Sequence, residues 1–206
     1  MFVVLLAVLF LILMSSWTLI QVRGDFQEEQ ILKPETVASV LGVYTLHFVI
    51  QLLAAWARFW PYSSNRLVSI IAGIAISLLG GTLLVLGTIH LGDINFMAGL
   101  ETGDLVTTGV FRWSRHPQNV GWALILLGIG LVSRSWMALL LALVFWGIFA
   151  AYVPLEEGYL EEIYGEEYRR YKERTWRYFG PPGKKPPRKE LTLPENESGD
   201  GEPTDR

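Results

Sequence analysis

The sequence contains no cysteine and only three histidines among its 206 residues. The lack of cysteine excludes disulfide scaffolds, thiolate metal sites and cysteine nucleophiles. A site built on several histidines would need nearly all of His47, His90 and His116, so we predict no metal site. Basic residues are not in excess either, because 17 Lys and Arg stand against 20 Asp and Glu, a formal net charge of −3. We therefore expect no nucleic-acid partner, since binding one calls for a basic surface.

Charged residues are absent from five long stretches of a chain that is 51% hydrophobic. These stretches are residues 1–22, 37–57, 67–92, 119–133 and 135–155. A run of about 18 or more apolar residues crosses a hydrocarbon core of about 30 Å as a helix. The fourth run is short for a crossing, and only Arg134 and its flanking serines join it to the fifth. The sequence therefore predicts an all-α, integral membrane helical bundle with about five transmembrane helices, the last two forming a helical hairpin.

Two alternatives to this interpretation carry less weight. The first apolar run has no basic stretch before it and no small-residue cleavage site after it, which favours a retained helix over a cleaved signal peptide. A very apolar soluble helical core would explain the composition, but the breaks between the runs fall at charged residues, as expected for membrane helices.

Basic residues lie mostly on one side of the predicted bundle. With five crossings, the side that holds the C-terminus receives the basic residues of loops 23–36 and 93–118 and of the tail, whereas the other side has only Arg58, Arg66 and Arg134. Loops rich in Lys and Arg stay in the cytoplasm. We therefore expect the C-terminus in the cytoplasm and the N-terminus outside.

The chain divides into three parts. Residues 1–92 hold three transmembrane helices, residues 93–180 hold the hairpin and a cytoplasmic C-terminal helix, and residues 181–206 have the composition of a disordered tail. The C-terminal helix is predicted over 155–177 as an amphipathic helix, weakened by about 1 kcal/mol by Gly165 inside it. Its apolar face has helical spacing: Leu160, Tyr164, Tyr168, Tyr171 and Thr175.

The loop before the hairpin is the first candidate site. Residues 99–111 are rich in glycine, which permits close approach of a ligand, although a plain turn-rich connection has the same composition. Pro117 suits the first turn of the next helix. Arg115 and His116 then lie beside the free N–H groups and positive dipole end of that helix, a good place for a carboxylate or phosphate. Alternatively, Arg112 and Arg115 mark the cytoplasmic interface of the membrane, Trp113 joins the aromatic belt there, and His116 is a cap.

An acidic pair is the second candidate. Glu156 and Glu157 follow Pro154 where the last apolar run ends. A partly desolvated carboxylate there suits a cation or a hydroxyl group, and the alternative is that the pair opens the next helix and complements its dipole. His47 lies within the second apolar run, where ionisable groups often face a cavity. A lone histidine bonded to a neighbouring helix is more common, so we place His47 outside the site.

The motifs on both sides of the hairpin resemble those of a known family. The run Leu105–Phe111, the tripeptide Arg115-His116-Pro117 and the dipeptide Gly121-Trp122 resemble the isoprenylcysteine carboxyl methyltransferases, whose C-terminal core the phospholipid N-methyltransferases share. After the hairpin, the acidic pair followed by Tyr164-Gly165-Glu166-Glu167-Tyr168 is similar to the second motif of that family. The resemblance covers about residues 95–180, and the first three apolar runs match only in being apolar.

The resemblance implies an integral membrane methyltransferase that binds S-adenosylmethionine on the cytoplasmic side and methylates a lipophilic small-molecule or lipid-linked acceptor. It implies catalytic roles for Arg115 and His116, and contacts of Trp122 and Tyr152 with the acceptor. The residues implied to bind the cofactor come from both motifs: Gly103, Asp104, Leu105, Val106, Phe111, His116, Pro117, Gln118, Asn119, Glu156 and Glu157.

The chemistry of these residues suits that cofactor. Arg115 and His116 suit its carboxylate, Glu156 suits its ribose diol or its ammonium group, and Phe111 and Trp113 offer stacking surfaces. The family usually has Tyr where this chain has Asn119, and the prenylcysteine enzymes have a substrate-binding Arg at the place of Tyr152. A carboxylate acceptor calls for a cationic partner. The acceptor is therefore left open between a lipid amine, a thiol, a carboxylate and another apolar small molecule.

Two other functions stay open at the level of sequence. Membrane reductases of the sterol-reductase type use NADPH and share a related Arg-His-Pro element, but only Arg112 and Arg115 are at hand for the 2′-phosphate. A non-catalytic membrane protein with the same fold, or a transporter, is the other, although the intact acidic pair and His116 argue against a degraded site. The expected partners are the lipid bilayer and the acceptor, and the sequence indicates no oligomeric state.

Overall fold

The computed structural model describes residues 2–28, 31–92, 99–101 and 103–183. Within these residues there is no β-strand, and a 3₁₀ turn at Gly109–Arg112 precedes the hairpin. The prediction of an all-α bundle is confirmed. The α-helices in chain order are α1 (Phe2–Glu28), α2 (Pro34–Trp56), α3 (Arg66–Leu91), α4 (Pro117–Ser133), α5 (Trp136–Tyr164) and α6 (Glu166–Arg174).

Four helices, α1, α2, α3 and α5, are long and apolar enough to cross a membrane. The fifth apolar helix, α4, has 17 residues. At 1.5 Å per residue it is about 26 Å long, against a hydrocarbon core of about 30 Å. The predicted membrane bundle is confirmed, with α4 as the short arm of the hairpin.

Local sequence signals set the starts of the helices. Asn65 caps α3, since its side-chain oxygen accepts a hydrogen bond from the Val68 N–H (3.2 Å). The Ser135 hydroxyl accepts in the same way from the Ala138 N–H (3.2 Å) at the start of α5. Pro117 occupies the first turn of α4, as predicted.

Helices α3 and α4 pack with their backbones in contact along a row of glycines. Gly73, Gly80 and Gly87 recur every seven residues and are buried on one face of α3. A Cβ on Gly80 would lie 2.5 Å from the carbonyl oxygen of Gly121, and one on Gly73 would lie 2.7 Å from that of Gly128. Small residues allow such close approach between membrane helices. The packing holds α4 against α3 along its length.

The loops gather into two groups at opposite ends of the bundle. At one end the Tyr62 N–H donates to the carbonyl of Arg134 (3.1 Å), so the loop between α2 and α3 meets the hairpin turn. At the other end the Arg115 N–H donates to the carbonyl of Trp176 (3.0 Å), which joins the loop before α4 to the C-terminal segment. The basic loops therefore share one end, and which side of the membrane that end faces stays a prediction.

Two polar side chains of α2 are buried inside the bundle. The His47 ring lies edge-on to that of Phe145, with the centroids 5.6 Å apart. The Gln51 amide nitrogen donates to the Leu126 carbonyl (2.9 Å) and so ties α2 to α4. His47 lines neither of the two cavities described below.

The last long helix does not end where the sequence predicts. α5 runs through Pro154 to Tyr164, so no separate helix begins at residue 155. Pro154 is exposed, whereas Val153, Glu157 and Tyr159 around it on the same helix are buried. Burial of this face outweighs the hydrogen bond that proline cannot donate. The acidic pair therefore lies on one continuous helix.

The predicted amphipathic helix is broken at Gly165 instead. Gly165 has a φ of 52°, and a Cβ there would meet nothing within 4 Å, so the backbone angle alone favours glycine. α6 follows and buries Tyr168 and Tyr171. Across the break, the Lys172 ammonium donates to Glu161 (2.7 Å), which closes α6 back against α5.

The start of the predicted disordered tail is held by hydrogen bonds. The Trp176 indole N–H donates to the Pro181 carbonyl (3.1 Å), and the Gly183 N–H donates to the Arg174 carbonyl (3.2 Å). Residues 181–183 therefore fold back on the end of α6. Residues 184–206, the rest of that tail, lie outside the described part of the chain.

Candidate functional site

A small cavity lies at the basic end of the bundle, where the long helices meet the loop before α4. Its volume is about 140 Å³. His116 and Asn119 line it from the start of α4, and Tyr152 and Glu156 line it from α5. Phe26 of α1 is also part of the lining, so both halves of the bundle contribute to the site.

A buried ion pair lies beside this cavity. The Nε of Arg115 (2.9 Å) and one terminal nitrogen (2.6 Å) donate to Glu157 Oε1. The other terminal nitrogen donates to the carbonyls of Lys172 (3.1 Å) and Thr175 (2.7 Å). Arg177 donates to Glu157 Oε2 (2.7 Å). These bonds engage every nitrogen of the Arg115 guanidinium and tie the start of α4 to α5 and to the C-terminal segment.

This pairing changes the interpretation of Arg115 and Glu157. The family resemblance implies a catalytic role for Arg115 and a cofactor contact for Glu157. Arg115 lines the cavity, but each nitrogen of its guanidinium already donates to a protein group, and Glu157 lies behind the cavity at 2% exposure. Removing one partner of a buried pair leaves an uncompensated charge, which is strongly destabilising. We therefore interpret both as residues that position their neighbours.

His116 lies between two carboxylates. Its Nε2 is 3.4 Å from Glu157 Oε1, and its Nδ1 is 3.3 Å from Glu156 Oε2. Burial disfavours the charged imidazole, but the carboxylates, above all that of Glu156, outweigh this and raise the pKa of His116 to about 9. The ring is therefore an imidazolium at neutral pH and places a positive charge at the edge of the cavity.

The carboxylate of Glu156 faces the cavity and is only partly engaged by hydrogen bonds to the protein. Its side chain is 30% exposed, whereas that of Glu157 is 3% exposed. Within the described residues no aligned hydrogen bond reaches Glu156 Oε2, although this oxygen is buried and His116 is near it. A buried acceptor whose nearby donor is poorly aligned costs free energy. A ligand that donates to Glu156 is favoured here for that reason.

Helix α2 contributes a residue that the sequence analysis did not identify. The hydroxyl of Tyr44 donates to Asn119 Oδ1 (2.6 Å) and so orients the Asn119 amide at the edge of the cavity. The Tyr44 ring also packs near those of Trp122 and Phe145, with centroids 6.3 and 5.6 Å away. A single tyrosine in an apolar run carries no sequence signal of a site, since only the packing of α2 against α4 brings it there.

An aromatic wall closes the cavity on the side of α6. Phe111 and Tyr171 line the cavity, and the Tyr171 hydroxyl donates to the Phe111 carbonyl (2.8 Å). Burial raises the pKa of Tyr171, which keeps this hydroxyl protonated as a donor. The Tyr164 hydroxyl donates to the Gly103 carbonyl (2.5 Å). The glycine-rich loop is thus fastened to α5 and α6.

Gly109 is the position where this loop requires a glycine. It has a φ of 59°, and a Cβ built there would collide with the ring of His90 at the end of α3. The absence of a side chain lets the 3₁₀ turn lie directly on α3. That contact places Phe111, two residues later, in the cavity wall.

The structure brings most of the predicted site residues to one cavity and leaves the others around it. Those that line the cavity are Leu105, Val106, Phe111, Arg115, His116, Gln118, Asn119, Tyr152 and Glu156. The others, which are not part of the lining, are Gly103, Asp104, Pro117, Trp122 and Glu157. Their individual roles toward cofactor and acceptor stay predictions.

Trp113 and Arg177 differ most from what the sequence suggested. Trp113 lies outside the cavity and stacks on Phe179, with the ring centroids 6.1 Å apart, so its position fits an interfacial aromatic and not a stacking surface for the ligand. Arg177 was not identified at all, although it holds the second oxygen of Glu157. Only the return of the chain after α6 brings it to the site.

The chemical groups around the cavity indicate the chemistry of the ligand that fits it. They are an imidazolium, a carboxylate with an unsatisfied oxygen and aromatic faces, which together match a zwitterion that carries hydroxyl groups and a flat ring. Within the residues that the structure describes, no three His, Asp or Glu side chains converge to hold a metal ion.

Comparisons with known proteins give matches across the hairpin and beyond it. A family model described as phospholipid methyltransferase matches residues 68–167, from the start of α3 to the start of α6. Protein-S-isoprenylcysteine O-methyltransferase A of Arabidopsis thaliana is 30% identical over 144 residues, which is 69% of this chain and 72% of that protein. The rat and human proteins named protein-S-isoprenylcysteine O-methyltransferase are 29% and 28% identical over 154 residues. The match spans about half the length of these two relatives, 54% of each.

Proposed function

This chain belongs to the family of the isoprenylcysteine O-methyltransferases and phospholipid methyltransferases, and we propose that it is a membrane enzyme that uses S-adenosylmethionine to methylate a lipophilic acceptor. The observation that carries the proposal is the meeting of His116 and Glu156, from opposite sides of the hairpin, at one cavity. Their charges are opposite, as the two charged groups of the methionine part of the donor require.

The residues of the cavity fit the polar groups of this donor. The His116 imidazolium suits the carboxylate, and the unsatisfied oxygen of Glu156 suits the ribose diol or the ammonium group. Phe111 offers a face for the adenine ring. The free volume of about 140 Å³ is smaller than the roughly 300 Å³ or more of typical ligand pockets. We therefore expect the walls to move apart when the donor binds.

The chain itself holds and orients the reactants. The bound donor supplies an electrophilic methyl group on a sulfonium sulfur. Alignment of two substrates contributes several kcal/mol, up to about 7–11 kcal/mol in the best intramolecular reactions. Arg115 and Glu157 contribute indirectly, since they fix the start of α4 and hence the position of His116. Exclusion of water from the cavity strengthens these electrostatic contacts.

The acceptor is proposed to enter from the bilayer. Phe26, Leu32 and Ile163 form an apolar part of the cavity lining, which suits a hydrocarbon chain. Tyr152 and, behind the lining, Trp122 are the proposed contacts for the acceptor. Its reacting group is left open between a lipid amine, a thiol, a carboxylate and another apolar molecule. The basic loops at this end of the bundle support a cytoplasmic position of the site.

Thermal stability of the purified chain in detergent tests the proposal. A ligand at 100 times its Kd stabilises the native state by about 2.7 kcal/mol. We expect stabilisation by S-adenosylhomocysteine, the demethylated product, and none by NADPH. Stabilisation by NADPH alone would identify a reductase, and a lack of response to both would favour a non-catalytic protein.

Point variants test the location of the site. We expect His116→Ala and Glu156→Ala to weaken binding of S-adenosylhomocysteine, because each removes a charge that faces the ligand. Glu162→Ala is the matched control, since Glu162 is an exposed carboxylate on the same helix and is not part of the cavity lining. Unchanged binding in both site variants would show that the site is elsewhere. Incubation of the protein with a lipid extract and labelled donor, followed by mass spectrometry, would identify the acceptor.

A further inference from the structure

A second and larger cavity lies on the other side of α6. Its volume is about 730 Å³, and it is bounded by α6, the 3₁₀ turn and the segment after α6. Its polar lining includes Arg112, Arg170, Arg174 and Thr108. Tyr171 lines both cavities, so one aromatic side chain forms part of the wall between them.

The second cavity carries an excess of positive charge. Its three arginines face one carboxylate, that of Glu167. Within the described residues no ion pair engages Arg112, Arg170 or Arg174, and the side chains of all three are exposed. The neighbouring arginines, in contrast, each pair with a glutamate: Arg115, Arg169 and Arg177. Arg170 Nε donates to the Glu166 carbonyl (3.3 Å), and three guanidinium groups without a carboxylate partner around one cavity favour an anionic occupant.

An exposed aromatic pair beside this cavity suits a position at the surface of the membrane. Trp113, the residue after Arg112, is 46% exposed, and Phe179, on which it stacks, is 57% exposed. The Gly180 N–H donates to the Trp113 carbonyl (2.9 Å), which anchors the segment leading to Gly183 in the cavity lining. Exposed aromatic rings concentrate at the level of the lipid headgroups. In the predicted orientation this is the cytoplasmic leaflet, where anionic lipids are found.

The sequence adds more positive charge directly after the cavity. Gly183, part of its lining, is followed by Lys184, Lys185, Arg188 and Lys189. Basic residues near a membrane surface attract anionic lipids, so this run favours the same kind of occupant.

We propose that the second cavity binds the headgroup of an anionic phospholipid of the cytoplasmic leaflet. Guanidinium groups bind phosphate oxygens in a bidentate manner, and the Thr108 hydroxyl is at hand as a further donor. The Trp113 and Phe179 rings lie beside the acyl chains. This lipid is an anchor and not the methyl acceptor, so the proposal does not rest on the proposed function.

Lipid binding by the purified full chain tests the proposal. The protein in detergent is titrated with dioctanoyl phosphatidylglycerol or dioctanoyl phosphatidylcholine, and bound lipid is counted by native mass spectrometry. The test variant combines Arg112→Gln with Arg174→Gln. The matched control combines Arg23→Gln with Arg66→Gln, which removes two exposed arginines that are not part of either lining.

We expect the wild type and the control to prefer phosphatidylglycerol, and the test variant to bind it roughly 30-fold more weakly. The melting temperature of the test variant should equal that of the control, which shows that it is folded. If the double variant does not fold, the single variants carry the test, and each should weaken binding roughly fivefold.

Three results would overturn the proposal. The first is equal affinity of the wild type for the two lipids, or of the wild type and the test variants for phosphatidylglycerol. The second is inorganic phosphate binding as tightly as the short-chain lipid, which would assign the cavity to a free anion. The third is lipid binding that appears only after deletion of residues 190–206. That result would indicate that this acidic end of the chain, and not a lipid, occupies the cavity.

Discussion

Replacing Gly80 with alanine disrupts the contact between α3 and α4 at its closest point. The new Cβ would lie 2.5 Å from the Gly121 carbonyl oxygen and 2.9 Å from both the Ile125 nitrogen and the Leu124 Cβ. Two of these atoms belong to the backbone and therefore cannot move away by a change of rotamer. The helices must separate by at least about 0.5 Å to bring the closest contact from 2.5 to 3.0 Å, a distance below which real Cβ contacts essentially never fall. Overpacking of this kind costs about 1–3 kcal/mol.

Gly81→Ala is the matched control, because a Cβ on Gly81 would meet nothing within 4 Å. Alanine improves helix propensity by about 1 kcal/mol at both positions, so the difference between the two variants measures the overpacking alone. The assay is thermal unfolding of the purified protein in detergent, followed by circular dichroism. We expect the Gly80 variant to be the less stable by about 1–3 kcal/mol.

The same variants report on the site. α4 carries Asn119 near its start and follows directly after His116, so a displacement of α4 moves both side chains relative to α5. We therefore expect Gly80→Ala, and not Gly81→Ala, to weaken binding of S-adenosylhomocysteine. Equal stability of the two variants would refute the close packing of α3 and α4.

Three further predictions concern the charges and hydrogen bonds of the site. Glu157→Gln should destabilise the protein by about 3–5 kcal/mol, because Arg115 is left as a buried charge, whereas Glu156→Gln should destabilise it less, because its partner His116 can lose its proton. A comparable loss in both variants would contradict the difference between the two carboxylates. The pKa of His116 is raised from 6.5 to about 9, so the stability due to its protonated form is complete below pH 6.5 and is lost as the pH rises through about 9. His116→Gln should abolish this loss in thermal unfolding between these pH values, and a flat wild-type profile would count against the charged ring. Tyr44→Phe should cost about 0.5–1.5 kcal/mol of stability and weaken binding of S-adenosylhomocysteine, and binding equal to the wild type would exclude a role for α2 in the site.

The fold class could be predicted from the sequence because it depends on the order of residues along the chain and not on contacts between helices. A helix that crosses a membrane must be apolar along its whole length, so a gap between charges marks it without any knowledge of its neighbours. The start of α4 could be predicted for the same reason, since the suitability of Pro117 for a first turn is a property of proline itself.

Helix ends and helix contacts that depend on packing against other helices were predicted less well. Pro154 suggested the end of a helix, but α5 continues because its buried face packs along the bundle. The glycine row of α3 has a regular spacing of seven residues that the sequence analysis did not identify. Its meaning depends on α4, since a glycine is required only where another backbone approaches.

The apolar runs, the break residues and the two motifs were determined by the sequence itself, since each rests on the chemistry of residues that are close in the chain. The tertiary structure alone decided which of Glu156 and Glu157 forms the buried ion pair and which faces the cavity. Consecutive residues of a helix point in directions about 100° apart, so one carboxylate meets Arg115 and Arg177 while the other faces the cavity. Which of the two does so depends on the rotation of α5 against α4, and that is fixed only when the helices pack.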